Sequence, residues 1–127
     1  MTPRPRREDF PGDALSFYEA EGLYLYHNYK VVSEREFQKW MQVYSRSNDW
    51  FYYHTETSYR SPSGFPDCVL VRSPEIIFAE LKSCLVSAKV GKTQQEWLDA
   101  LQACNLEVHL WRPSDIPEIM TRLKRPW

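Results

Sequence analysis

The stretch CVLVRSPEIIFAELK, residues 68 to 82, constrains what this chain can fold into more than any other. Two apolar runs rich in β-branched residues flank a break at RSPE, and they read as antiparallel strands joined by a tight turn with Pro74 at its second position. Side chains alternate between the faces of a strand, so Ile76, Phe78, Glu80 and Lys82 share one face and Ile77, Ala79 and Leu81 the other. A carboxylate and an ammonium group thus point the same way at the end of an apolar strand. Asp67 follows Gly64 and Pro66 at the start of the first strand. The start of one hairpin strand faces the end of the other, and this brings Asp67 beside Glu80 and Lys82.

Around the hairpin the patterns are helical or strand-like by turns. SEREFQKWMQVYSR places Phe37, Trp40, Met41 and Tyr44 at helical spacing, with Ser33 and Glu36 as a capping box and Asn48 and Asp49 as the stop. WFYYHTE, residues 50 to 56, reads as a strand in which His54 is a packed core residue. Beyond Lys82 a loop with Lys89, Gly91 and Lys92 leads to TQQEWLDALQAC, a helix with Thr93 and Glu96 as its capping-box pair, ending near Asn105. Gln94 lies three, four and seven positions before Trp97, Leu98 and Leu101, on that helix's buried stripe, where an amide needs a partner. EVHLW, residues 107 to 111, is a short strand, and Ser114 caps a last helix with Ile116, Ile119, Met120 and Leu123 inward.

Residues 1 to 13, with three prolines and three arginines, read as an extended or partly disordered arm; residues 14 to 32 show no clear period, and GLYLYHNYKVV reads as a strand or a packed irregular segment. The order helix, three strands, helix, strand, helix predicts one mixed α/β layer fold, and 127 residues suffice for one domain.

Charge does not name a partner. Residues 1 to 60 hold eight Lys/Arg against nine Asp/Glu and residues 61 to 127 eight against eight, so a nucleic-acid reading must rest on local clusters such as Lys89 with Lys92. Cys68, Cys84 and Cys104 form no CxxC pair, which points to buried free thiols rather than a disulfide framework or a zinc site. With no apolar run long enough for a membrane span or a signal peptide, the expectation is a cytoplasmic protein.

Two carboxylates converging at a strand end make the oxygen-rich site that Mg²⁺ or Mn²⁺ prefers, and Lys82 is a natural third group to hold an attacking water or offset charge on a phosphodiester. The hairpin alone allows a blander reading, in which Glu80 and Lys82 are an ion pair at a sheet end and Asp67 a turn residue.

GFPD, a hairpin and then AELK resemble the PD-(D/E)xK nuclease signature, with Pro66, Asp67, Glu80 and Lys82 matching it position by position. Taken with SEREFQ, the W..YHT strand, QQEWLDAL and EVHLWRPSD, the series is similar to the VRR-NUC branch, the virus-type replication-repair nucleases, over roughly residues 33 to 123. The loop SCLVSAKVGKT departs from that pattern by being slightly longer. The resemblance implies a restriction-endonuclease-like αβββαβ core, a central mixed sheet flanked by helices, over residues 33–127, with residues 1–32 as an N-terminal extension able to supply dimer contacts.

It implies an Mg²⁺-dependent endonuclease, with Mn²⁺ able to substitute. Asp67, Glu80 and the Leu81 carbonyl would be metal ligands, Lys82 the catalytic lysine, and Gln94 a residue orienting the lysine, a water or a phosphate. The family adds an acid from the first helix. Glu34 lies roughly 60° from the Phe37 centre of the stripe and Glu36 roughly 100°; Glu34 also occupies the family's usual position, and Glu36 is second choice. Arg60, Lys89 and Lys92 are candidate DNA contacts. The expected substrate is branched DNA such as a four-way junction, cut by a homodimer. The alternatives are a flap or nicking nuclease dependent on a replication or packaging partner, and a non-catalytic DNA-binding accessory subunit. The aromatic residues read mostly as core, with base stacking a minor role.

Overall fold

The computed structural model describes residues 3–56 and 61–127 and has a four-stranded mixed sheet with four helices, an α/β fold. Strands β1 (Phe51–His54), β2 (Cys68–Arg72), β3 (Glu75–Leu81) and β4 (Glu107–Trp111) lie in the order β1-β2-β3-β4. The hairpin expected from the sequence is β2 and β3, in antiparallel register from Arg72 opposite Glu75 to Cys68 opposite Ala79. That register leaves Ser73 and Pro74 as the turn, joined by a cis peptide bond, so Pro74 occupies its third position rather than its second. β1 pairs antiparallel with β2, whereas β4 runs parallel to β3. A parallel neighbour requires a crossover, and helix α3 (Lys92–Ala103) supplies it.

Alternation along the strands gives the sheet two different faces. Leu70, Ile77, Ala79 and Leu81 are buried against α2 (Glu34–Ser47) and α4 (Ile116–Leu123), with Phe37, Trp40, Met41, Tyr44, Ile116, Ile119 and Leu123 opposite them. The α2 side chains fall on one stripe as expected, and Ser33 caps that helix by accepting the Glu36 N–H at 3.1 Å. The other face holds Phe78 and Glu80 beneath α3, where Phe65 wedges between Phe78 and Trp97 with ring centroids 6.1 and 5.1 Å away.

Residues 14 to 32 are not a strand: Ala14–His27 form a helix, α1, opened by Asp13, whose side chain accepts the Ser16 N–H at 3.0 Å. Apolar and aromatic residues are spread around this helix because it is wedged between α2 and α4, so no single stripe marks it in the sequence. Its fit against α2 is close. A Cβ on Gly22 would lie 2.6 Å from the Trp40 ring, and the Trp40 indole donates to the Tyr18 carbonyl at 2.8 Å. Nor is the preceding segment a detached arm, since Arg4 pairs with Glu36 and Glu21 across α1 and α2.

Three smaller expectations change. Ser114 does not cap α4: a 3₁₀ turn, Pro113–Asp115, precedes the helix, and Asp115 folds back to accept the Arg112 N–H at 2.9 Å. His54 is exposed, because β1 lies at the sheet edge. Of the cysteines only Cys68 is buried; Cys104 is exposed and Cys84 lies between. Among the described residues, no helix is long and apolar enough to cross a membrane.

Candidate active site

Continuing the β2–β3 register one step past Cys68 and Ala79 sets Asp67 opposite Glu80, on the face covered by α3. Asp67 is fixed from two sides: its carbonyl accepts the Thr55 N–H at 2.8 Å, and its Oδ2 accepts the Leu81 N–H at 2.7 Å. Thr55 adds a bond from its hydroxyl to the Pro66 carbonyl at 2.7 Å, so the GFPD segment is stitched to the strand beside it. Gly64 is needed in that segment. Its φ is +100°, and a Cβ there would lie 2.8 Å from the backbone of Thr93 at the start of α3.

Glu80 is 1% exposed. Its Oε2 accepts from Gln94 Nε2 at 2.8 Å and lies 3.3 Å from the Lys82 ammonium, whereas the buried Oε1 has no hydrogen-bond partner among the described residues. Burial first and the charge of Asp67 second push the Glu80 carboxyl up to about 7, against the opposing pull of Lys82. An orphaned buried carboxylate oxygen facing a second carboxylate is costly unless a cation or a proton joins them.

Gln94 holds Glu80 rather than Lys82. Its Oε1 accepts the Gly91 N–H at 2.8 Å, closing the first turn of α3 in place of the expected Thr93–Glu96 pair, while its amide nitrogen reaches the carboxylate. Of the two helix acids, Glu34 is the one within electrostatic reach of Asp67 and Lys82. Its carboxyl is raised by burial and by Asp67 and drawn back by Lys82, whereas Glu36 accepts from Arg4 at 2.5 Å and so has a structural partner. Glu34, Asp67, Glu80, Lys82 and Gln94, spread over sixty residues of sequence (94 − 34), are thereby brought together.

Leu81 adds its N–H to Asp67, and its carbonyl lies in the peptide that joins it to Lys82. Lys89 and Lys92 are exposed on the loop and at the first residue of α3, with no ion-pair partner among the described residues; Arg60 lies outside the described residues. Sequence reasoning missed Arg112, whose guanidinium donates to the carbonyls of Ser83 and Ala88 at 2.5 and 2.9 Å and clasps the loop after Lys82. No local pattern marks it, since its partners lie 29 and 24 residues away. Beside the acids an open cleft of about 580 Å³ is lined by Tyr53, Thr55, Phe65, Asp67, Gln94 and Trp97, among others.

The residues fit a hard divalent cation. Among the described residues no group of three acid, histidine or cysteine side chains is placed to hold a metal ion. Mg²⁺ does not require one, because it takes one or two carboxylates and completes its shell with water and substrate phosphate. The facing carboxylates and the unpartnered Glu80 oxygen offer that donor set. In comparisons with known proteins, no family model matches the chain, and no curated protein or solved structure is significantly similar to it.

Proposed function

We propose that this chain is a divalent-metal-dependent DNA endonuclease of the VRR-NUC type, its sheet and helices forming a restriction-endonuclease-like core. One observation supports the reading above the others: Glu80 is buried with an oxygen that has no partner among the described residues, opposite Asp67 and 3.3 Å from Lys82. A plain ion pair at a sheet end has no need of an orphaned oxygen, and in metal-free form the arrangement is strained electrostatically.

Asp67, Glu80 and the Leu81 carbonyl would hold Mg²⁺ or Mn²⁺, with Glu34 acting on the ion through a bound water. When bound, the ion lowers the pKa of a water and offsets charge on the phosphodiester. Lys82, tethered by Glu80, orients the attacking water and meets the charge that builds on the non-bridging oxygens. Gln94 keeps the Glu80 carboxylate in one rotamer, with its own other end fixed to Gly91. Lys89 and Lys92 neutralise neighbouring phosphates. Branched DNA, cut by a homodimer acting in the cytoplasm, is the substrate and assembly that follow from the resemblance.

Incubation of the protein with labelled four-way junction, flap and linear duplex DNA, with and without Mg²⁺, tests this. Metal-dependent cutting by the unmodified chain, lost in folded Asp67→Ala and Glu80→Ala variants, is the expected result. Absence of cutting on all three substrates would remove the enzyme reading and leave the DNA-binding accessory role.

A further inference from the structure

Strand β1 lies at the sheet edge, and its Phe51 and Tyr53 are 80% and 62% exposed. They stand opposite Val71 and Val69 on the face that also holds Phe78 and Glu80. Tyr53 is therefore not a core aromatic, although the strand pattern reads that way. It lines the 580 Å³ cleft together with Asp67, Gln94, Phe65 and Trp97. Thr55, just past β1, bonds the Asp67 backbone at 2.8 Å, so Tyr53 is offset by about 7 Å along the strand direction from the row that Asp67 and Glu80 occupy.

An aromatic ring open to water in the same cleft as Asp67 has a specific chemical complement if that site cuts phosphodiesters. In continuous duplex the faces of the bases are stacked on one another and only their edges are presented. A ring can use a base's face only when that base has left the stack, and stacking on aromatic side chains is how unpaired nucleotides are held without sequence preference. We propose that Tyr53, with the aromatic floor of its cleft, is a stacking platform for an unpaired base beside the scissile phosphate, so that the substrate carries an unpaired nucleotide at the cut rather than continuous duplex. This rests on the reading of Asp67, Glu80 and Lys82 as the phosphodiester site, and it makes Tyr53 a specificity-determining residue.

The test compares a continuous duplex with the same duplex carrying unpaired nucleotides, one of them 2-aminopurine, on the unmodified protein, Tyr53→Ala and Tyr53→Phe. Affinity and 2-aminopurine fluorescence are read in Ca²⁺, and cutting in Mg²⁺. The unpaired substrate should bind about tenfold or more tightly than duplex, with its fluorescence quenched. Tyr53→Ala should abolish both the preference and the quenching while duplex binding stays the same, and Tyr53→Phe should keep both. Equal affinity for the two DNAs, or a preference that survives Tyr53→Ala, overturns the platform even if DNA is cut. So does a dimer in sedimentation that Tyr53→Ala converts to a monomer, since the edge would then belong to a second copy. If no DNA is bound and none is cut, the nuclease reading fails with it.

Discussion

Burying Glu80 opposite Asp67 makes the ionised carboxylate a burden on the metal-free fold. Its carboxyl titrates near 7 in the folded chain against an ordinary 4.5, so between those values the folded chain holds a proton that the unfolded chain has released. Stability therefore falls as pH rises through that window and levels off above it. Glu80→Gln cannot ionise, and its amide nitrogen, in place of the oxygen with no partner among the described residues, can donate to the Asp67 carboxylate opposite. In EDTA at pH 8 the variant should be more stable than the unmodified protein by on the order of 2 kcal/mol, with the two nearly equal at pH 4.5. Adding Mg²⁺ at pH 8 should reverse the order, raising the melting temperature of the unmodified protein alone. Equal melting curves at pH 8 in EDTA, or Mg²⁺ stabilising both proteins alike, would contradict this account of Glu80. The face shared by Glu80 and Lys82 was legible because strand period and hairpin topology are local. Glu34 was preferred to Glu36 from its place on the helix, but the partner that occupies Glu36 left no local signal, since Arg4 lies 32 residues away.

At the scale of elements, the site depends on how the GFPD segment meets the start of α3. Gly64 lies against Thr93, and the same helix turn presents Gln94 to Glu80. Gly64→Ala would force apart two backbones now 2.8 Å from the new Cβ, at a φ of +100° that an L side chain resists. Folded Gly64→Ala is expected to lose about a hundredfold in kcat through displacement of Gln94 and Asp67, measured by single-turnover cutting. Unchanged turnover would show that this junction does not position the acids. Strands and helices with one apolar face declared themselves in the sequence: β2, β3, α2 and α4 all have one side against the core. Helix α1 did not, since contact with two other helices removes the polar stripe that would reveal its period. The start of α3 was misread for a different reason, as the side chain that closes its first turn is also the one that holds the Glu80 carboxylate.

Across the whole molecule, α1 fastens the two helices that back the sheet, and the Trp40 indole finds its only acceptor among the described residues in the Tyr18 carbonyl. Deleting residues 1–32 would expose apolar surface on α2 and α4, the Trp40 ring included, and exchange its hydrogen bond to Tyr18 for one to water. The remaining fragment should lose its cooperative thermal transition in circular dichroism; a sharp transition near that of the full chain would show that the extension is dispensable for folding. The most direct test of the central claim is the rate of Mg²⁺-dependent cutting by Lys82→Ala beside the unmodified protein, with DNA and Mg²⁺ binding followed in parallel. Cutting should fall by about a hundredfold or more while both ligands stay bound. Undiminished cutting by the folded variant would mean that the chemistry does not take place at the end of β3.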